Sequence, residues 1–205
     1  TSIWQPRMHA RAAATSSITK GEQVRGSICV RMPQSLTVHY LPEILHRIKK
    51  QYPSISFDVG TCVSPSLSRE LQSGLVDVAF LLTEAISSSE LVAEVLGTTS
   101  VVLVAVPDHP LVRLSTLHTR DLVGETILVA KYDCAYRMTF EGMLTAASID
   151  RTTVIEMNSI EAAKRCALRG LGLWIVPEIT VARELAEGKL VSLPWGEGPL
   201  EMGIL

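Results

Sequence analysis

The amino-acid sequence predicts an α/β protein built as two doubly wound lobes, and three observations support that reading. Short apolar runs of strand length alternate with segments whose apolar residues recur at helical spacing. From Gly26, strand–helix–strand–helix–strand fills about 55 residues, the length of one parallel doubly wound unit. The same alternation restarts after "VVLVAVP" without repeating the sequence, so the second unit is a structural rather than a textual copy.

Residues 1–25 carry Arg7, Arg11, Lys20 and Arg25 against Glu22 alone, among alanines and a Ser/Thr cluster, and read as a linker or helical tail. "SICVRM" is the first strand. Leu36, Tyr40, Leu41, Ile44, Leu45 and Ile48 then form one helical stripe. Ser35 reads as the cap of this helix and Tyr52-Pro53 as its end. Pro42 is expected near the first turns, where a missing amide costs least. "SISFDVG" alternates as the second strand, and Ser64-Pro65-Ser66-Leu67 opens a second helix with serine capping and proline first inside. Leu67 and Leu71 share the buried face of that helix, Gly74 closes it, and "VDVAFLL" follows as a strand covered on both faces.

A hairpin-like pair, "LVAEVL" and "SVVLVAVP", leads into the second round. "TILVA" is a strand, and "AYRMTFEGMLTAAS" a helix with Phe140, Met143, Leu144 and Ala147 on its apolar face. "TTVIEM" is the next strand, and "NSIEAAKRCALRG" a helix with Asn158 and Glu161 as a capping box. Strand "LGLWIVP", helix "EITVARELAEG" and the run "KLVSLPW" complete the series. Gly170 and Gly172 stand after a helix and before a strand, the wrong order for a dinucleotide loop, and read as helix terminators. The division expected is a 1–25 tail, a first lobe of 26–103 plus 200–205, and a second lobe of 104–199.

A formal charge of −2, from 19 basic and 21 acidic residues, leaves no clustered cations for direct binding of nucleic acid. No apolar run is long enough to span a bilayer, and the N-terminus lacks a signal-peptide core, so a soluble cytoplasmic protein without membrane contact is expected. Cys29 and Cys166 fall in apolar elements and read as buried thiols, whereas Cys62 and Cys134 fall in loops open to reaction. Neither a serine-hydrolase elbow, nor a zinc-protease helix, nor a P-loop is present, and His9, His39, His46, His109 and His118 have no paired spacing. No catalytic residue, metal or cofactor is therefore assigned. His39 and His46, seven apart, belong to the solvated or partner-facing side of the first helix.

In open parallel sheets ligands bind beyond the carboxyl ends of the strands, where helices begin. Ser35, Ser64 and Asn158-Ser159 all begin helices, so their amides and partial positive charge favour an anion in a cleft between the lobes. For each serine the plain alternative is a cap and nothing more. Lys131, Tyr132 and Arg137 in "AKYDCAYR" add cations and a donor on the opposite side, with solvated loop charges as the alternative.

Four stretches in this order resemble one family. "GSICVRMPQSLTVHYLPEILHRIKKQYPSISFDV", "LQSGLVDVAF", "LVAVPDHPL" and "SIEAAKRCALRGLGLWIVP" are similar to the effector-binding region of LysR-type transcriptional regulators, from about Gly26 to Leu205. The resemblance implies a type 2 periplasmic-binding-protein fold with a two-strand hinge, a small-molecule effector (often a carboxylate) in the cleft, and no enzymatic activity. It implies effector contacts at Ser35 with Leu36, at Ser64, at Ser100 on the crossover strand, and at Lys131, Tyr132, Cys134 and Arg137 in the second-lobe loop. It also implies a homodimer or homotetramer paired through the first helix, with Tyr40, His39 and His46 available, and DNA contact only through an N-terminal domain absent from this chain. The Gly60–Leu67 loop is about two residues longer than the family pattern, "LEMGIL" stops before the helix that usually follows, and Trp174 replaces a residue that is usually small or aliphatic, either narrowing the cleft or filling core. The alternative class is a solute-binding protein of a transporter.

Overall fold

The structure, a computed structural model, describes residues 24–61, 66–83, 91–131, 135–149 and 153–205. Its first half runs β1 (Gly26–Met32), α1 (Gln34–Gln51), β2 (Ile55–Thr61), α2 (Leu67–Gln72), β3 (Val78–Ala79), β4 (Leu82–Thr83) and β5 (Gly97–Ala105). The second half runs β6 (Thr126–Ala130), α3 (Ala135–Ala146), β7 (Thr153–Met157), α4 (Ile160–Ala167), β8 (Leu173–Pro177), α5 (Ala182–Ala186), β9 (Val191–Ser192) and β10 (Leu200–Ile204).

Two lobes repeat one plan. In the first, β1 is central, with β2 and β3 parallel to it on either side. In the second, β6 is central, with β7 and β8 parallel to it on either side. Each trio is then extended by an antiparallel strand from elsewhere in the chain. β5 lies against β8, while β10 lies against β4, which continues β3 after a break at Phe80 and Leu81. β5 itself changes neighbour along its length: residues 97–101 pair with β10 and residues 101–104 with β8. The two lobes are therefore joined by a pair of adjacent strands, β5 and β10.

The larger sheet is buried on both faces, which explains its unbroken apolar runs. Side chains alternate along β5 and β8. Val101, Leu103, Leu173 and Ile175 pack with Phe140 and Leu144 of α3 on one face. Val102, Val104, Trp174 and Val176 pack with Ala163 and Ala167 of α4 on the other. On the α3 face, the Phe140 and Trp195 rings meet edge-on with centroids 5.6 Å apart, and Trp195 Nε1 donates to Thr119 Oγ1 at 3.0 Å. The first lobe has a smaller core of Met32, Leu36, Leu41 and Leu82 under α1.

Several local expectations are corrected. Pro33, not Ser35, occupies the cap position of α1, and Ser35 lies inside the first turn. Pro42 stands ninth of the eighteen residues of α1, well past the first turns, with its ring exposed. Ser66, not Ser64, is the residue preceding α2, and its hydroxyl bonds Glu70 instead of an amide. "VDVAFLL" is two short strands because the chain switches partner from β1 to β10 within it. "LVAEVL" forms no strand, although Leu96 N donates to Ile204 O at 2.7 Å. Ser159, not Asn158, caps α4, accepting from Ala162 N at 3.2 Å. "EITVARELAEG" is a 3₁₀ turn, Glu178–Thr180, followed by the short α5. Gly170 ends α4 with φ +69°, as expected, but Gly172 serves a different purpose: a Cβ there would overlap the carbonyl of Thr126. Trp174 is core filling, 2% exposed.

Cys29 and Cys166 are free and half-buried, not fully buried. Burial first, and then the hydrogen bond to Asp58, push the Cys29 thiol pKa up, with Arg31 pulling the other way. Cys29 is thus a thiol at neutral pH. Alkylation by iodoacetamide at pH 7.5, followed peptide by peptide with mass spectrometry, is expected to be slower at Cys29 than at the same cysteine in the urea-unfolded chain. Equal rates would refute the protected thiol.

Candidate functional site

The carboxyl ends of β1 and of β6 and β7 lead into α1, α3 and α4, the arrangement that puts helix starts at a crevice. Pro33 fixes an extended backbone just before α1, with φ −56° and ψ 142°. Thr37 then ties the first turn, its amide donating to Pro33 O at 2.9 Å and its hydroxyl to the same oxygen at 3.1 Å. On the other side, Ser159 holds the start of α4 through Ala162 N. The two starts meet: Gln34 Oε1 accepts a hydrogen bond from Ile160 N at 3.0 Å. One side chain from the first lobe thereby satisfies a helix-start amide of the second, a group with no partner inside its own helix.

The electrostatics at this junction favour a negative group. The first turn of α1 has no acidic residue. Glu161 stands in the first turn of α4, in an exposed pair with Arg165 at 2.8 Å. Ser35, which follows Gln34 in the first turn of α1, is buried, 3% exposed. Leu36 is 1% exposed and packs into the first-lobe core, so its side chain faces Met32 and Leu41.

On the second-lobe side, Lys131 is exposed at the end of β6, its amide bonded to Met157 O at 2.8 Å. Arg137 is fully engaged. Its guanidinium donates to Ala130 O and to Glu141 Oε1, both at 2.7 Å, and to Glu156. Although burial works against the charge, these carboxylates raise the Arg137 pKa and keep it a cation. Arg137 therefore clamps the end of β6 to α3 and β7. Ser100 on β5 donates to Glu201 of β10 at 2.7 Å, a bond between the two joining strands. Ser64, Tyr132, Cys134 and Cys62 lie outside the described residues. Among the described residues no His, Cys, Asp or Glu cluster could hold a metal ion, and no helix is long and apolar enough to cross a membrane.

The structure thus places Ser35 and Ser159 next to the two residues of the Gln34–Ile160 hydrogen bond in the chain, turns Leu36 into the first-lobe core, puts Lys131 at the end of a neighbouring strand, and engages Ser100 and Arg137 in bonds of their own. Sequence reasoning missed Gln34, because a glutamine in a first helical turn has no distinctive spacing. Its partner lies 126 residues away.

Comparisons with known proteins agree with this architecture. The LysR substrate binding domain family matches residues 21–205. An uncharacterized HTH-type transcriptional regulator of Bacillus subtilis, YwqM, is 30% identical over 174 residues, which is 84% of this chain and 59% of that protein. A hydrogen peroxide-inducible genes activator of Pectobacterium carotovorum is 24% identical over 85% of this chain and 58% of its own length. The chain therefore spans about three fifths of these curated relatives. Among solved structures, the regulatory domain of CcmR from Synechocystis PCC6803, in complex with 2-PG, superposes with a TM-score of 0.73 at 19% identity, covering 88% of this chain and 86% of that one. The effector binding domain of QuiR in complex with shikimate gives 0.67 at 17% identity, covering 88% and 86%. With a matching family over all but the first twenty residues, and with two lobes of the same strand order joined by paired strands, the chain belongs to the LysR substrate-binding domain family.

Proposed function

We propose that the chain is the effector-sensing and oligomerisation domain of a LysR-type, DNA-binding transcriptional regulator of the cytoplasm, and that its effector is a small carboxylate held between the lobes. The observation that carries this reading is the 3.0 Å hydrogen bond from Ile160 N to Gln34 Oε1, which draws together helix starts from both lobes. Each start favours an anion by roughly 0.3–1 kcal/mol. A carboxylate oxygen can take the place of the Gln34 carbonyl on Ile160 N, with the amides beside Ser35 on its other side. The shikimate in QuiR and the HTH-type description of YwqM support a small-molecule ligand and a DNA-reading partner domain.

The ligand acts by preferring one lobe arrangement, since equal affinity for both would shift nothing. Pairing of the domain as a homodimer or homotetramer, with the exposed Tyr40 and His46 of α1 at the contact, transmits the shift. The domain binds its ligand without turning it over.

The test is a thermal-shift screen of small carboxylates on the purified chain. A ligand at 100 times its Kd adds about 2.7 kcal/mol of stability. Ser35→Ala is then expected to weaken the best hit by about tenfold, one charge-assisted hydrogen bond, while the unliganded melting temperature changes little. A panel without a hit, or a hit bound equally well by Ser35→Ala, overturns the reading.

A further inference from the structure

On the flank where α1 faces α4, the Glu178–Thr180 turn and α5, the two lobes border an open pocket of about 510 Å³ that begins at Glu161, one residue beyond the Gln34 bridge. Its wall includes His39 from the first lobe and Lys164, Arg165, Thr180, Arg183 and Glu184 from the second. That volume lies within the usual range for small-molecule pockets.

The cavity has an unusual inner wall. Thr180 Oγ1 and Glu184 Oε2 are buried and lack a hydrogen-bond partner among the described residues, and both residues line this one cavity. Thr180 is 1% exposed and the Glu184 side chain 14%. Folded proteins rarely leave such atoms unpaired, because each costs about 1–3 kcal/mol. Glu184 already accepts from Lys164 Nζ through its other oxygen, at 3.1 Å. What its second oxygen lacks is a donor.

His39 does not supply one as a cation. Burial first, and the Lys164 ammonium second, lower its pKa, against an upward pull from Glu184. The rim is different. Arg165 pairs with Glu161 at 2.8 Å and Arg183 with Glu187 at 2.7 Å, but the two arginine side chains are 77% and 82% exposed. Exposed pairs of this kind are worth little, so either guanidinium can turn to another anion at small cost. A donor-seeking interior below a cationic rim is complementary to a molecule that carries an ammonium at one end and a carboxylate at the other.

We propose that this cavity is a second ligand site, separate from the Gln34–Ile160 junction, that binds a free amino acid with its ammonium on Glu184 and Thr180 and its carboxylate on Arg165 and Arg183. Because the wall comes from both lobes, the amino acid holds α1 against α4 and α5. It biases the lobe arrangement from outside the main cleft.

The experiment is isothermal titration of the purified chain with the twenty free amino acids. The best binder is then compared with its N-acetylated form, which lacks the ammonium, and with its amide, which lacks the carboxylate. At least one amino acid is expected to bind, and each truncated form to bind at least tenfold more weakly. Glu184→Gln and Thr180→Val are expected to weaken the amino acid at least tenfold, and Ser35→Ala to leave it unchanged. Arg165→Gln, a change at an exposed position, keeps the test valid if the buried variants do not fold; it is expected to weaken binding severalfold. The proposal is overturned by a panel with no binder, by an amide that binds as well as the amino acid, or by Ser35→Ala abolishing binding, which would put the ligand in the main cleft.

Discussion

Replacing Trp174 with alanine is expected to cost about 3–5 kcal/mol, the range for removing a fully buried large aromatic side chain. The indole sits on β8 in register with Val104 of β5 and Leu128 of β6, so it fills the centre of one face of the larger sheet. Its neighbours there include Val102, Ala163 and Ala167. The alanines of α4 are too small to close over the hole, and they belong to the same helix whose start meets Gln34. In a chain of this size each kcal/mol moves the melting temperature by roughly 2–4 °C, so the variant is expected to melt about 6–20 °C lower. Trp174→Phe is expected to recover a good part of the loss. A calorimetric loss under about 1.5 kcal/mol for Trp174→Ala, small on the scale of such truncations, would falsify the core assignment.

Gly172→Ala is expected to cost about 1–3 kcal/mol or more, the usual range for forcing atoms into a packed interior. The new Cβ would overlap the Thr126 carbonyl oxygen and come within 3.0 Å of the Thr126 carbonyl carbon, and backbone atoms in a sheet cannot rotate away as a side chain can. Thr126 opens β6, and the next residue, Ile127, pairs with Leu173. Relief of the clash therefore parts β6 from β8 at their first shared pair. Gly142→Ala is the control, because nothing lies within 4 Å of a Cβ on that exposed face of α3, and alanine is the better helix former there. Denaturation of the two variants in urea should differ in sign. Equal midpoints would exclude the close approach at Gly172.

The parts of this fold that were legible in the sequence are those in which local chemistry and tertiary packing agree. Phe140, Leu144 and Ala147 recur at helical spacing, and they pack together against the sheet. The unbroken apolar runs of "TILVA" and "LWIVP" follow from burial on both faces. Legibility fails where a distant segment decides the outcome. Residues 76–82 look like one strand, but their hydrogen bonds pass from β1 to the chain's last residues, so the strand breaks in two. Ser35 and Asn158 carry the right chemistry for caps, yet Pro33 and Ser159 hold those places, since a shift of one or two residues is invisible to composition. The junction was legible only as a set of helix starts. That Gln34 closes it, and that Thr180 and Glu184 share a cavity with His39, follows from contacts across more than one hundred residues of chain.

The exchange of partners along β5 has a consequence for how the molecule is made. The strand that completes the first lobe, Leu200–Ile204, leaves the ribosome only after the whole of the second lobe. Until it arrives, β4 and residues 97–101 of β5 present bare edges, whereas β6, β7, β8 and residues 101–104 of β5 already have their partners. Of the two lobes, the one translated earlier is thus the one that matures later, and its open edges are the part of the nascent domain most in need of protection from aberrant pairing.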